Sequence, residues 1–177
     1  TYKGYTFNFE EIAKELYRVT KDGGVVVWIV GDATIKGSET GTSFKQALFF
    51  KEIGFNLHDT MIWNKGGFSA VGALRVRYAP VFEYMFILSK GKPKTFNPIK
   101  DRENKWAGTP NHGTVRQADG SMKPVSNNNT IPKYGQRFNI WEVSPHRHRG
   151  EDKHPAMFPE QLAQDHILSW SNPGDIV

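Results

Sequence analysis

Apolar and polar positions along the chain alternate between two periods. Asn8 stands before Phe9, Ile12, Ala13, Leu16 and Tyr17, which recur on one helical face, and Glu11 three residues on completes a capping box. This pattern predicts a helix that stops at Asp22-Gly23-Gly24. Val25-Val26-Val27-Trp28-Ile29-Val30 follows as an unbroken β-branched run, the pattern of a strand buried on both faces of a parallel sheet, closed by Gly31-Asp32. Thr42 or Ser43 can cap a second helix that carries Phe44, Ala47, Leu48 and Ile53 inward and stops at Gly54. Phe55 to Trp63 and Val81 to Ser89 read as strands on either side of a glycine-containing loop. This order predicts an open α/β sheet whose last hairpin reverses direction, so one antiparallel strand is expected. Near the end, Phe158 to Ser171 returns to helical spacing through Leu162, Ala163 and Ile167. Asn172-Pro173-Gly174-Asp175 then turns toward a strand at Ile176-Val177. A fold does not normally stop one step into a strand, so the chain is expected to be truncated at its C-terminal end.

The stretch between Lys90 and Gly150 breaks both periods. It is rich in Gly, Pro and Asn and reads as long loops with short strands. It also holds twelve Lys/Arg against four Asp/Glu, a balance of +8, which leaves −3 for the rest of a chain whose net charge is +5. A basic, loop-rich insertion on a better-packed scaffold is the pattern of a polyanion-binding surface, with a solvated basic loop as the alternative. The division expected is therefore 1–90 for sheet and helices, 91–150 for the basic insert, and 151–177 for a helix and the start of the next strand. Apolar runs such as Val25 to Val30 fall far below the roughly 18 residues of a bilayer span, so no membrane segment is expected. With no cysteine there is neither a disulfide framework nor a thiolate metal site. His146-Arg147-His148-Arg149 offers two histidines at i, i+2 without a placed carboxylate. That is a poor zinc set and a better phosphate-facing strip, so no metal is expected.

Four segments, in this order, resemble the amino-group DNA methyltransferases of the N6-adenine/N4-cytosine type. They are Leu16 to Gly24 with the valine strand; Gly54-Phe55 with Met61-Ile62-Trp63-Asn64-Lys65; Phe82-Glu83-Tyr84-Met85-Phe86-Ile87-Leu88-Ser89-Lys90; and Trp141-Glu142-Val143 leading to Lys153-His154-Pro155-Ala156-Met157-Phe158-Pro159-Glu160. Phe82 stands where the family often has histidine. The resemblance implies a partial Rossmann-like S-adenosylmethionine-dependent methyltransferase sheet with one antiparallel strand and a loop-rich target-recognition insert. It further implies S-adenosylmethionine as cofactor, with His154, Pro155, Ala156, Met157 and Phe158 lining its pocket, although the two prolines also suit a plain helix start. Duplex DNA is the implied partner, within a bacterial or phage cytoplasm and in the setting of restriction and modification; a homodimeric parent enzyme is compatible with it.

In such an enzyme the exocyclic amine of a flipped base is polarised by an Asp/Asn/Ser-Pro-Pro-aromatic loop. No such tetrapeptide and no glycine-rich cofactor loop occurs in the sequence. The resemblance therefore predicts a central portion of the enzyme that is inactive by itself, with no catalytic residue of its own. Asp32, after the valine strand, is at the edge where open α/β sheets place ligands, but a strand-terminal Gly-Asp is also a common turn. The candidate DNA contacts, mainly phosphate-directed, are Arg75, Arg77, Lys94, Lys105, Arg116, Lys123, Lys133, Arg137, Arg147 and Arg149. Trp106, Tyr134 and Phe138 either stack on bases or hold the insert together. Two other classes stay open: a non-catalytic nucleic-acid-binding module on a methyltransferase-like scaffold, and a methyltransferase for RNA or small molecules.

Overall fold

A computed structural model of the chain describes residues 7–67, 75–124, 130–145 and 158–177. Helix α1, Phe9–Val19, starts where the sequence expects: the Asn8 side chain accepts from the Glu11 N–H at 3.5 Å. Its end comes earlier than the glycine pair. Thr20 turns extended, and its N–H and hydroxyl both reach the Leu16 carbonyl, at 3.0 and 2.6 Å, so the last turn is satisfied before Gly23 is reached.

Strand β1 (Val25–Val30) leads through a small hairpin, β2 (Thr34–Ile35) with β3 (Ser38–Glu39), into helix α2 (Thr42–Glu52). Strands β4 (Asn56–Asn64) and β5 (Phe82–Ser89) follow. The main sheet has the order β1-β5-β4-β10, where β10 is Ile140–Glu142. β5 runs antiparallel to both β1 and β4, and β10 runs parallel to β4, so β5 is the single reversed strand that the hairpin pattern predicts. The reading of β1 as a parallel strand buried on both faces is corrected: it pairs antiparallel with β5 and all six of its residues are half-buried. A run of valines reports two apolar faces but not the direction of the neighbouring strand.

Register divides the side chains between two faces. Val26, Trp28 and Val30 share one face with Tyr84, Phe86 and Leu88, and α1 and α2 cover it. Phe50 is the centre of that core, its ring 5.3 Å from Phe9, 5.2 Å from Trp28 and 5.7 Å from Phe55. The expected inward set of α2 is met at Ala47, which is buried, and at Ile53, which packs against the core, but not at its other two residues. Phe44 and Leu48 are 54% and 65% exposed, whereas Ser43, Gln46, Ala47 and Phe50 are buried. Neither Thr42 nor Ser43 is the N-cap; Gly41, at φ +62°, holds that position in the left-handed region. The helix is turned so that its two buried polar side chains find partners. Ser43 meets Asp32, and Gln46 accepts from Trp28 Nε1 at 2.8 Å.

Met61, Trp63, Met85, Ile87 and Trp141 lie on the other face and are buried. Helix α3, Glu160–Trp170, meets this face through Leu162, Asp165, His166 and Ser169. Of the residues that carry the helical spacing, Leu162, Ala163 and Ile167, only Leu162 is fully buried, and Ile167 is 44% exposed. Spacing alone favours the apolar residues, but the actual stripe is polar and internally bonded, with Ser169 Oγ donating to the Asp165 carbonyl at 2.7 Å. The turn at Asn172–Asp175 forms, its Asn172 N–H donating to the Asp175 carboxylate at 2.7 Å, but Ile176 and Val177 form no strand.

The chain divides into two compact units, Thr1–Asn97 with Asn139–Val177, and Pro98–Phe138. The second consists of two short ladders, β6 (Arg102–Glu103) with β9 (Tyr134–Gly135) and β7 (Thr114–Arg116) with β8 (Met122–Pro124). Its neck is closed by the Arg137 N–H donating to the Ile99 carbonyl at 2.9 Å and by the Arg137 guanidinium on Asp101. None of its described residues is buried. Among the described residues no helix is long and apolar enough to cross a membrane.

Candidate functional site

Because β5 is reversed, its amino end lies beside the carboxyl ends of β1 and β4: Tyr84 pairs with Val30 and Phe82 with Asn64, while Asn64 also pairs with Glu142 of β10. Open α/β sheets take ligands at the carboxyl ends of their strands. Trp63, buried one residue before the end of β4, donates from Nε1 to the Val143 carbonyl at 2.7 Å, which fixes its ring. Phe158 meets that ring edge-on at 5.9 Å and is itself 48% exposed, leaving an aromatic wall open on one side. Lys65 Nζ pairs with Glu83 and lies 5.2 Å from the Trp63 ring centre. Glu83 has room because residue 31 is glycine: a Cβ there would come within 3.1 Å of Glu83 Cγ. The Lys65–Glu83 pair carries no assignment from sequence, yet a glutamate within an apolar strand, facing Trp63 across the ladder, is the signal that could have found it.

Asp32 is committed to the fold. One carboxylate oxygen accepts from the Ser43 N–H at 3.1 Å and the Thr40 hydroxyl at 3.0 Å, and the other accepts from the Ser43 hydroxyl. Burial works to raise its pKa, but these hydrogen bonds, with one from the Thr42 N–H, outweigh it and hold the carboxyl below its ordinary value. It is a long-range cap for α2. His166 is the other buried titratable group. Its ring stacks on Trp141 at 4.5 Å, Nε2 lies 3.3 Å from Met85 sulfur, and Nδ1 has no partner among the described residues. Burial pushes its pKa down to about 4 against the opposing pull of Asp165, so the imidazole is neutral at pH 7.

The expected cofactor residues His154, Pro155, Ala156 and Met157, and the basic strip with Arg147 and Arg149, fall outside the described residues; Phe158 alone is placed, at the aromatic wall. Among the described residues no cluster of metal-ligating side chains occurs. The basic residues differ in their freedom. Arg77 donates to Thr34 Oγ1 at 2.8 Å and to the Gly37 carbonyl at 2.7 Å, pinning the β2–β3 hairpin. Arg137 clamps Asp101. Lys94 lies beside Gly23, at the opposite edge of the sheet from the aromatic wall. Arg75, Lys105, Arg116, Lys123 and Lys133 are exposed, with Lys105 at 5.9 Å from the Trp106 ring and Lys133 at 5.1 Å from that of Tyr134.

A family model described as DNA methylase matches residues 1–177. The orphan methyltransferase M.BamHII of Bacillus amyloliquefaciens is 58% identical over 99% of the chain, which spans 68% of that protein. The type II methyltransferase M.MjaI of Methanocaldococcus jannaschii is 28% identical over 93% of the chain, which spans 52% of it. Among solved structures, the cytosine-N4-specific PvuII DNA methyltransferase matches 94% of the chain with a TM-score of 0.64 at 18% identity, and the chain spans 55% of it. The M1.HpyAVI–SAM complex matches 94% with a TM-score of 0.54 at 17% identity, and the chain spans 62% of it. At these identities the structural matches speak for the fold, a partial Rossmann-like α/β sheet.

Proposed function

The chain belongs to the N6/N4 DNA methylase family, and from that premise we propose that it serves the transfer of a methyl group from S-adenosylmethionine to an exocyclic amine in duplex DNA, adenine N6 or cytosine N4. The observation that carries the reading is the position of Phe158. It joins Trp63 at the carboxyl edge of the sheet, directly after the His154-Pro155-Ala156-Met157 segment whose sequence resembles the family's cofactor wall. An aromatic wall that is half open suits both the flat adenine and the sulfonium cation of this cofactor. When bound, S-adenosylmethionine supplies the methyl group as a sulfonium electrophile. The chain's own contribution is to hold and orient: Phe158, with His154 to Met157, packs on the cofactor, and Trp63, locked by Val143, keeps Phe158 in place. The exposed Arg75, Lys105, Arg116, Lys123 and Lys133 supply the positive field for DNA, joined by Arg147 and Arg149 from the basic strip.

The gene that encodes the chain, expressed in a bacterium free of its own DNA methylation, is expected to yield N6-methyladenine or N4-methylcytosine in chromosomal DNA, detected by mass spectrometry of digested nucleosides. Neither product would contradict the reading if one appears alone; the absence of both overturns it. The polypeptide of residues 1–177 contains no Pro-Pro-aromatic tetrapeptide to polarise the amine, so in isolation it is expected to transfer no label above a buffer control.

A further inference from the structure

Every strand residue of the β7–β8 ribbon is exposed. Its strands, Thr114–Arg116 and Met122–Pro124, have no buried residue, and Val115 and Met122 are 53% and 57% exposed. Nothing in the core requires this ribbon, yet its tip is tightly made. The Gln117 N–H donates to the Ser121 carbonyl at 2.7 Å, the Gly120 N–H to the Gln117 carbonyl at 3.0 Å, and Asp119 accepts from both the N–H and the hydroxyl of Ser121. The one acidic side chain of the ribbon is thus held by Ser121 at the tip rather than in an ion pair with either cation.

The register gives those cations separate faces. Arg116 pairs with Met122 and Val115 with Lys123, so Arg116 and Met122 share one face while Val115 and Lys123 share the other. Of the three arginines in the Pro98–Phe138 unit, Arg102 donates to the Gln136 carbonyl at 3.0 Å and covers Phe138, and Arg137 clamps Asp101. Arg116 has no partner among the described residues. The unit as a whole holds seven Lys/Arg against three Asp/Glu. A preformed two-stranded ribbon has the dimensions that the major groove of duplex DNA admits, and a free guanidinium beside an apolar side chain suits a guanine edge next to a thymine methyl.

We propose that the β7–β8 ribbon enters the major groove of the target duplex, with Arg116 donating to guanine O6 and N7 as a specificity-determining residue and Lys123, on the opposite face, taking a phosphate. This rests on the proposed action on duplex DNA and adds to it the element and the side chain that select the sequence.

The test uses the chain at low salt with a pool of random duplexes, from which retained sequences are read, followed by anisotropy on the retained duplex and on the same duplex carrying 7-deazaguanine. That base lacks the N7 acceptor in the major groove and is unchanged in the minor groove. The wild type is expected to enrich a guanine-containing sequence and to bind the 7-deazaguanine duplex about tenfold to a hundredfold more weakly. Arg116→Ala should lose the preference at one position and bind both duplexes alike. Lys123→Ala should keep the preference and lower the salt slope by about one. Because Arg116 is exposed and no hydrogen bond or ion pair of its side chain occurs among the described residues, its variant is expected to keep the wild-type thermal midpoint, which excludes misfolding. Retention of both the preference and the 7-deazaguanine penalty by Arg116→Ala overturns the ribbon's role while leaving the methyltransferase reading intact. A wild type that enriches no sequence, from a gene that leaves no methylated base in the cell, overturns both.

Discussion

Beneath α1 and α2, Phe50 is enclosed by Phe9, Trp28 and Phe55 in edge-on contacts, whereas beneath α3 the sheet meets Asp165, His166 and Ser169 around a single fully buried leucine, Leu162. The first face is stable through apolar area and packing, which depend little on pH. The second also buries Met61, Trp63, Ile87 and Leu162, but adds a neutral imidazole wedged between Trp141 and Met85 and hydrogen bonds inside one helix. Two sides of one sheet thus answer to different perturbations: loss of volume on one, protonation on the other.

The largest effect should come from breaking the aromatic face. Phe50→Ala removes a fully buried ring and leaves a cavity among rings that cannot collapse into it, so it should cost about 3–5 kcal/mol in urea unfolding. Acid should break the opposite face. The folded pKa of His166, about 4, lies below the ordinary 6.5, so the unfolded chain takes up the proton first as pH falls. Its contribution is complete above about pH 6.5 and is lost between there and about pH 4, some 3 kcal/mol in all. The measurement is unfolding free energy against pH for the wild type and His166→Gln, and the wild type should fall more steeply across that window. Parallel curves would show that the imidazole is not the sensitive group.

A smaller effect sharpens the contrast on the aromatic side. Asp32→Ala removes the long-range cap of α2 and leaves the buried Ser43 hydroxyl unpaired, which should cost about 1–2 kcal/mol without altering the pH window of His166. Arg18→Ala, which removes a solvent-exposed i,i+3 ion pair with Glu15, should leave the thermal midpoint unchanged and marks the floor of the comparison.

The same contrast governs what was legible in the sequence. The α1 start at Asn8, the extent of β1, and the single reversed strand follow from local caps, β-branched runs and the order of elements. The rotation of α2 and α3 does not. Both helices bury polar residues that hydropathy places outside, because Ser43, Gln46, Asp165 and Ser169 have partners, and for the first two the partner comes from another element. That the reversed strand β5 lies beside β1 was equally hidden, since valines pair well in either sense. In the candidate site, Phe158 is singled out by its surrounding motif, and the structure places it against Trp63. Trp63, Lys65 and Glu83 were quoted in motifs but acquire a common role only when register brings them to one edge. Charge counting found the basic segment but could not distinguish Arg116, which has no side-chain partner among the described residues, from Arg137, which is occupied with the fold.

The closed neck of the Pro98–Phe138 unit has a consequence for how such a protein diversifies. The N–H of Arg137 and the carbonyl of Ile99 join the two ends of the unit to each other. The residues just outside are anchored separately, Asn97 to the carbonyls of Leu168 and Ser171, and Asn139 to that of Thr60. A segment that departs and returns through adjoining stems can be exchanged as a cassette, because the hydrogen bonds that hold its flanks to the host sheet lie at the junction and not in the sequence between them. Its sequence is then free to drift while the host sheet stays under the slow constraint of its core.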